Sequence, residues 1–183
     1  RTAASAPVSS PNPASREEID LKRFQPQLRN EDGSAFLISD SGVGDPNRIL
    51  VNGSSRNLRI LSQSREWYMD GTFWTVPFLF LQLFMIHCFF LGKQFPIVYA
   101  LLPDKSQATY EWLFRLLLQE LVRRGLYYGV FSLEVITSDF EAAILSAVRH
   151  VFPHVRHRGC YFHFAQCINR KIQELGLSLR YRN

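Results

Sequence analysis

The sequence predicts an α/β fold in which helices flank a mixed β-sheet. Three apolar runs at 67–76, 78–90 and 95–102 are rich in aromatic and β-branched residues, which favour strands. The last two runs are joined by a short glycine-containing segment at 92–94, which is typical of a hairpin turn. Helical and strand patterns then alternate along the chain, and such alternation places helices on the faces of a sheet.

The alternating part begins with a helix over 110–124. Leucines recur there at three- and four-residue spacing, Thr109 is the expected N-cap, and Gly125 follows the basic last turn as a helix-ending glycine. A β-branched run within 133–137 predicts a buried strand. Three further elements complete the order β-β-β-α-β-α-β-α: a helix at 140–150 stopped by Pro153, a strand at 155–162 and a helix at 163–175.

The chain divides by composition into four parts. Residues 1–16 are small, polar and rich in proline, so we expect a disordered tail. Residues 17–66 alternate short apolar patches with turn residues and form a lead-in segment whose role the sequence does not indicate. We expect residues 67–177 to form the core and residues 178–183 to begin a continuation that the chain lacks, so the core is predicted to be truncated on its C-terminal side.

Positive charge is concentrated near the C-terminal end. The chain carries a net charge of +5, and residues 149–183 hold seven Lys or Arg residues and one acid. Such a stretch suits a polyanionic partner, although a solvated surface is the simpler explanation of charge alone. The three cysteines, Cys88, Cys160 and Cys167, do not form the dense, even set of a secreted disulfide framework, which favours an intracellular location.

The apolar run at 76–91 is the one stretch that resembles a membrane span. It is 16 residues long (91 − 76 + 1), shorter than the ~20 residues that a spanning helix needs. It also contains Pro77, Gln82 and His87. We therefore expect a buried strand there and no association with a membrane.

Two aspartates lie in unusual positions. Asp70 interrupts an aromatic run with the pattern of a buried strand, where a carboxylate is costly unless it is paired or binds a metal. Asp139 closely follows the strand at 133–137, and the C-terminal ends of strands line the ligand crevice of α/β sheets. Converging carboxylates suit Mg²⁺ or Mn²⁺, and a two-metal site supports phosphoryl transfer. Simpler roles stay open for both, namely a turn with Gly71 for Asp70 and a helix cap for Asp139.

Four motifs occur in order across these elements. They read Met-Asp-Gly-Thr-Phe at 69–73, Pro-Ile-Val-Tyr-Ala-Leu-Leu-Pro-Asp-Lys at 96–105, Thr-Ser-Asp-Phe-Glu at 137–141 and Arg-Gly-Cys-Tyr-Phe-His-Phe-Ala-Gln at 158–166. Together they resemble the transposase domain of Mutator-like elements, and the resemblance runs from about residue 67 to residue 177.

The resemblance implies a ribonuclease-H-like fold and an enzyme that cuts and rejoins DNA in transposition at an Asp-Asp-Glu metal site. Asp70 and Asp139 match the first two catalytic, metal-binding aspartates of the family, and Cys160 and His163 match its Cys-x-x-His motif. The resemblance further implies a two-metal Mg²⁺ or Mn²⁺ cofactor, transposon ends and target DNA as partners, and a nuclear location. It leaves homo-oligomerisation open.

The chain departs from the family pattern at the third acid, which normally follows a helical insertion further along than residue 183. Glu174 lies 35 residues after Asp139 (174 − 139), a separation that other Asp-Asp-Glu transposases use, but its surroundings resemble an ordinary helix end. Glu141 fits a first-turn helix acid better than a metal ligand. Catalysis by this chain therefore stays open, with two alternatives: an inactive, transposase-derived module that binds DNA or another partner, and a ribonuclease-H-like nuclease of cellular metabolism.

A zinc site is a further alternative near the Cys-x-x-His motif. His154, His157, Cys160 and His163 recur every three residues, and both residue types bind zinc. A period of three does not converge on one point in a strand, so simpler roles are preferred. In these simpler roles, His163 lies beside the carboxylates or contacts a DNA phosphate, and Cys160 packs as a small buried residue.

Overall fold

The structure is a computed structural model that describes residues 13–24, 28–128 and 131–178. Most of the tail expected at 1–16, and residues 179–183 of the expected continuation, lie outside these ranges. The strands are β1 (Leu37–Asp40), β2 (Leu50–Asn52), β3 (Glu66–Thr72), β4 (Gln82–Phe90), β5 (Lys93–Leu102), β6 (Val135–Ser138) and β7 (Arg156–Gly159). The α-helices are α1 (Ser55–Gln63), α2 (Gln107–Arg123), α3 (Ala142–Val151) and α4 (Tyr161–Glu174), and a short 3₁₀ helix spans Leu21–Phe24.

The seven strands form one mixed sheet in the order β1-β2-β5-β4-β3-β6-β7. The pairs from β1 to β3 are antiparallel and include the predicted β4–β5 hairpin. The pairs β3–β6 and β6–β7 are parallel, as their helical crossovers require. The predicted α/β class, a mixed sheet flanked by helices, is confirmed, and the arrangement is compatible with a ribonuclease-H-like fold.

Alternation along the strands gives the sheet one face that is covered by helices. Trp67 is fully buried there, its ring 5.7 Å from that of Phe152 at the end of α3, and its indole N–H donates to the Leu61 carbonyl of α1 at 3.1 Å. Phe84 on β4 packs against Phe114 of α2, with ring centroids 6.5 Å apart. Three helices thus share this face, and the intervening side chains of β3 and β4 point to the other one.

The segment at 17–66 contributes β1, β2 and α1, and the two strands extend the sheet beyond β5. Arg48 lies in the turn between these strands, and its guanidinium is buried. It donates two hydrogen bonds to the Asp40 carboxylate, at 2.8 and 2.6 Å, and a third to the Ile19 carbonyl at 2.7 Å. This cluster fastens the chain before β1 to the edge of the sheet.

The first two core strands are shorter than the sequence predicts. β3 ends at Thr72 and β4 begins at Gln82, which leaves a loop at 73–81. Pro77 lies within this loop, where its missing N–H costs no ladder hydrogen bond. Within the described ranges, no helix has the length and apolar character that crossing a bilayer requires.

Two helix starts also differ from the prediction. Ser106, not Thr109, is the N-cap of α2, because its hydroxyl accepts a hydrogen bond from the Thr109 N–H at 3.2 Å. The strand predicted to reach residue 162 ends at Gly159, because its partner β6 offers no paired residue beyond Ser138. α4 therefore begins at Tyr161, with Cys160 as its N-cap residue.

Candidate functional site

Parallel pairing brings Asp70 and Asp139 to the same level of the sheet. β3 and β6 are neighbouring strands, and the last residue pair of their ladder joins Tyr68 to Thr137. Each aspartate follows its member of that pair by two residues (70 − 68 and 139 − 137). Because adjacent strands lie ~4.8 Å apart, the two aspartates emerge side by side at the C-terminal ends of β3 and β6.

Asp70 occupies a regular strand position. It pairs with Met85 of β4, so a turn with Gly71 is not its role. Its side chain is 54% exposed, and the expectation of a carboxylate surrounded by aromatic side chains is therefore wrong. The reason is strand alternation, which turns Trp67 and Met69 to the helical face and Asp70 to the opposite one.

Asp139 lies in the connection from β6 to α3. One of its carboxylate oxygens accepts a hydrogen bond from the Glu141 N–H at 3.2 Å. The N-cap residue of α3 is Glu141, so the helix-cap role considered for Asp139 does not apply. The Glu141 carboxylate is held in turn by the Tyr110 hydroxyl at 3.1 Å and by the Lys105 ammonium at 3.4 Å.

A cavity of about 520 Å³ opens beside Asp70 on the sheet face opposite α2 and α3. His163, in the first turn of α4, places its Nε2 3.9 Å from the Asp70 carboxylate, a separation that permits charge attraction but exceeds a hydrogen bond. Cys160 also lines the cavity. The structure thus brings both residues of the Cys-x-x-His motif to the Asp70 side of the sheet.

The same cavity contains His87, which the sequence reasoning did not select. His87 pairs with Tyr68 across β3 and β4 and shares the face of Asp70. Burial lowers the pKa of His87, while the negative charge of Asp70 and a hydrogen bond that the imidazole donates to the Tyr68 backbone oppose that change. The available signal was a histidine within the otherwise apolar run at 83–91.

The four residues of the zinc alternative diverge. His157 lies on β7, and its Nε2 is 2.8 Å from the Ser138 hydroxyl, whereas His163 faces Asp70. Burial and the charge of Arg149 lower the pKa of His157, and Asp139 opposes them. Among the residues that the structure describes, no group of three or more His, Cys, Asp or Glu side chains is arranged to hold one metal ion.

The chemistry of the aspartate pair fits a divalent cation. Both side chains offer carboxylate oxygens, the donors that Mg²⁺ and Mn²⁺ prefer. Within the described part of the chain, neither Asp70 nor Asp139 forms an ion pair with Lys or Arg, so their negative charges are not neutralised by the protein there. The residues present therefore suit a metal-binding pair.

Glu174 lies apart from this pair. It is 11 residues beyond His163 on the same helix (174 − 163), which corresponds to about 16 Å along the axis. Its side chain is 63% exposed and forms an ion pair with Lys171 at 3.0 Å. A surface position on the last turn of α4 accounts for Glu174 without a metal.

Comparison with protein families finds a match to the MULE transposase domain over residues 66–167, which is 102 of 183 residues (167 − 66 + 1). The matched range includes Asp70, Asp139, Cys160 and His163. It confirms the resemblance inferred from the four sequence motifs. No curated protein sequence matches the chain at a significant level.

Proposed function

This chain belongs to the MULE transposase domain family, and we propose that it cuts and joins DNA strands in transposition with Asp70 and Asp139 as its catalytic, metal-binding pair. The observation that supports the proposal is the parallel register of β3 and β6, because both aspartates follow paired residues of these neighbouring strands by two positions. A transposase family implies DNA as the partner and suggests a divalent metal requirement. The nuclear location expected for such a protein stays a prediction.

In the proposed mechanism, Asp70 and Asp139 contribute oxygen ligands from two fixed strand ends. Bound Mg²⁺ or Mn²⁺ would activate a water or a 3′-hydroxyl and stabilise the leaving oxygen at phosphorus. The Glu141 N–H orients the Asp139 carboxylate, and the bonds of Glu141 to Tyr110 and Lys105 brace the turn that carries it. Such bracing preserves the geometry that in-line displacement needs.

His163 and the exposed basic residues of α4 are the proposed contacts of the DNA phosphate backbone. His163 stands 3.9 Å from Asp70 and is proposed as a positioning residue for a phosphate next to the reacting one. Arg170 lies further along α4 with an exposed side chain. Charge of this kind gives affinity that falls as salt rises, because bound counterions are released from DNA.

Substitution of the two aspartates tests the proposal. Asp70→Ala and Asp139→Ala in the full-length protein are expected to abolish Mn²⁺-dependent strand cleavage and to weaken Mn²⁺ binding measured by calorimetry. Asp32→Ala is the matched control, because Asp32 is an exposed acid in the turn before β1. Cleavage that survives in both single variants would overturn the assignment.

A second candidate, an inactive DNA-binding module, is favoured by one observation. The described residues bring two acids, not three, to the sheet edge, and Glu174 lies outside the site. For this candidate, wild-type protein binds DNA but shows no metal-dependent cleavage, and Asp70→Ala leaves DNA affinity unchanged. The third candidate, a cellular ribonuclease-H-like nuclease, requires RNA–DNA hybrids to be cut in preference to DNA ends.

A further inference from the structure

Two aromatic side chains stand in solvent close to the proposed site. Trp74 is 97% exposed and Phe78 is 98% exposed, both on the loop at 73–81 that connects β3 to β4. Trp74 follows Asp70 by four residues, so their Cα atoms are at most ~14 Å apart. Aromatic side chains are among the largest contributors of buried area in interfaces, which makes their full exposure here informative.

The far end of this loop is braced by the lead-in segment. The Arg16 guanidinium donates to the Leu79 carbonyl at 2.9 Å and to the Pro46 carbonyl at 2.6 and 2.9 Å. Phe80 is buried, and the Leu81 N–H donates to the Leu102 carbonyl of β5 at 2.9 Å. These contacts fix the loop where it enters β4.

The near end is fixed beside the carboxylates. The Lys105 ammonium lies 4.1 Å from the centre of the Phe73 ring and 3.4 Å from the carboxylate of Glu141. Glu141 is the residue whose N–H binds Asp139. Lys105 therefore links the start of the loop to the turn that carries Asp139, and it supplies a positive charge at that point.

We propose that Trp74 and Phe78 form a stacking platform for unpaired bases of the DNA whose backbone lies at the Asp70–Asp139 pair, an inference that rests on the proposed function. Every base presents a π-face on which an aromatic side chain can stack, but a base pair within a duplex has both faces covered by its neighbours. The platform thus requires nucleotides that are unpaired near the cut position. Residues 73–81 contain no charged side chain, so none repels a phosphate.

A second copy of the chain fits the two aromatics less well. Together they offer at most ~500 Å² of surface, which is below the ~800 Å² per partner of a standard stable interface. The loop that carries them begins at Phe73, whose ring lies 4.1 Å from the Lys105 ammonium, and a positive charge at that point suits a polyanion better than an apolar protein surface. Unpaired bases of the bound DNA are therefore the occupant that the position and charge favour.

The test compares two DNAs of the same sequence, one a blunt duplex and one with a four-nucleotide single-stranded end. With the full chain, Trp74→Ala is expected to weaken binding to the single-stranded end about tenfold and to change blunt-duplex binding by less than about twofold. Phe78→Ala shifts affinity in the same direction, and Trp74→Phe retains most of it. Tyr128→Ala is the matched control, because Tyr128 is 76% exposed and precedes β6 at the opposite end of that strand from Asp139.

Fluorescence gives an independent measurement, because Trp67 is buried and Trp112 is partly buried, whereas Trp74 is open to stacking. Quenching by the single-stranded end that disappears in Trp74→Ala supports the platform. Equal losses for both DNAs, or none for either, overturn it, as does a change of oligomeric state in light scattering without a change in DNA binding. Loss of cleavage in the aspartate variants alongside unaltered end binding by Trp74→Ala would refute the platform and leave the proposed function standing.

Discussion

Asp40→Asn is expected to lower the free energy of unfolding by about 3 kcal/mol, because it leaves a buried guanidinium without its counter-charge. The Arg48 side chain is 1% exposed and directs Nε and Nη2 at the two Asp40 oxygens. Its remaining Nη1 donates to the carbonyls of Ile19 and Arg16, at 2.7 and 3.1 Å. Each of the three guanidinium nitrogens therefore donates to a partner inside the fold.

The magnitude follows from the exposure of the two partners. Removing one member of a buried ion pair typically costs about 3–5 kcal/mol. The lower end applies here because Asp40 is 21% exposed, so water reaches the pair, and asparagine keeps one acceptor oxygen. The double variant Asp40→Asn, Arg48→Met removes the buried charge as well and is expected to be more stable than Asp40→Asn alone.

Urea denaturation followed by tryptophan fluorescence measures these differences at pH 7. Burial of Asp40 raises its pKa, but the Arg48 hydrogen bonds, the Gly42 N–H and the Arg48 charge together outweigh it, and the pKa is lowered in the folded protein. The contribution is thus complete above the unfolded pKa of about 4 and is lost as the pH falls through the lower folded value. The wild type should lose more stability than Asp40→Asn in that window.

Two results would refute this reasoning. One is an Asp40→Asn variant whose unfolding free energy lies within about 0.5 kcal/mol of the wild type, which is the range of an ordinary surface substitution. The other is a double variant no more stable than the single one, since the buried charge would then not be the source of the loss.

Two other predictions concern the covered face of the sheet. Gly71→Ala would place a Cβ atom 2.5 Å from the Gln82 side-chain oxygen. Gln82 is buried and forms hydrogen bonds with Tyr110 and with the Asp104 carbonyl. We therefore expect the free energy of unfolding, measured by urea denaturation, to fall by about 1–3 kcal/mol. An unchanged midpoint would show that Gln82 moves at no cost. Burial raises the pKa of the Cys88 thiol to about 11, and a hydrogen bond with Ser64 opposes this only weakly. A thiol reagent at pH 8 should therefore modify the exposed Cys167 in the native protein and reach Cys88 only after unfolding. Mass spectrometry identifies which of the two cysteines is modified. Equal rates at Cys88 and Cys167 in native buffer would contradict this.

The elements that the sequence predicts correctly are those whose pattern is local. In β5 and in α2, the number and spacing of the apolar residues are sufficient to identify a strand and a helix, respectively. Gly92 marks the hairpin turn between β4 and β5. The two aspartates could be selected for a related reason. Asp70 interrupts an apolar run and Asp139 follows one, and a carboxylate has no apolar packing role at either position.

The elements that the sequence does not predict depend on distant partners. β1 and β2 have four and three residues, too few for a period, and they are held by pairing with β5 and by the Arg48–Asp40 contact. The surroundings of Asp70 were misjudged because neighbours in sequence were treated as neighbours in space, whereas alternation places them on opposite faces. His87 was missed for the converse reason, since its partner Tyr68 lies on another strand.

The contacts of the lead-in segment give it a structural part in the proposed site. The Arg48 guanidinium binds the Arg16 carbonyl, and the Arg16 side chain binds the Leu79 carbonyl of the loop that displays Trp74. This chain of hydrogen bonds crosses the boundary between the lead-in segment and the core that composition suggests at residue 67. A loop that must hold aromatic side chains at a fixed distance from Asp70 needs support from outside its own strands, because its tip has no packing of its own. The segment before β1 and the turn between β1 and β2 thus support the loop that carries the proposed stacking platform.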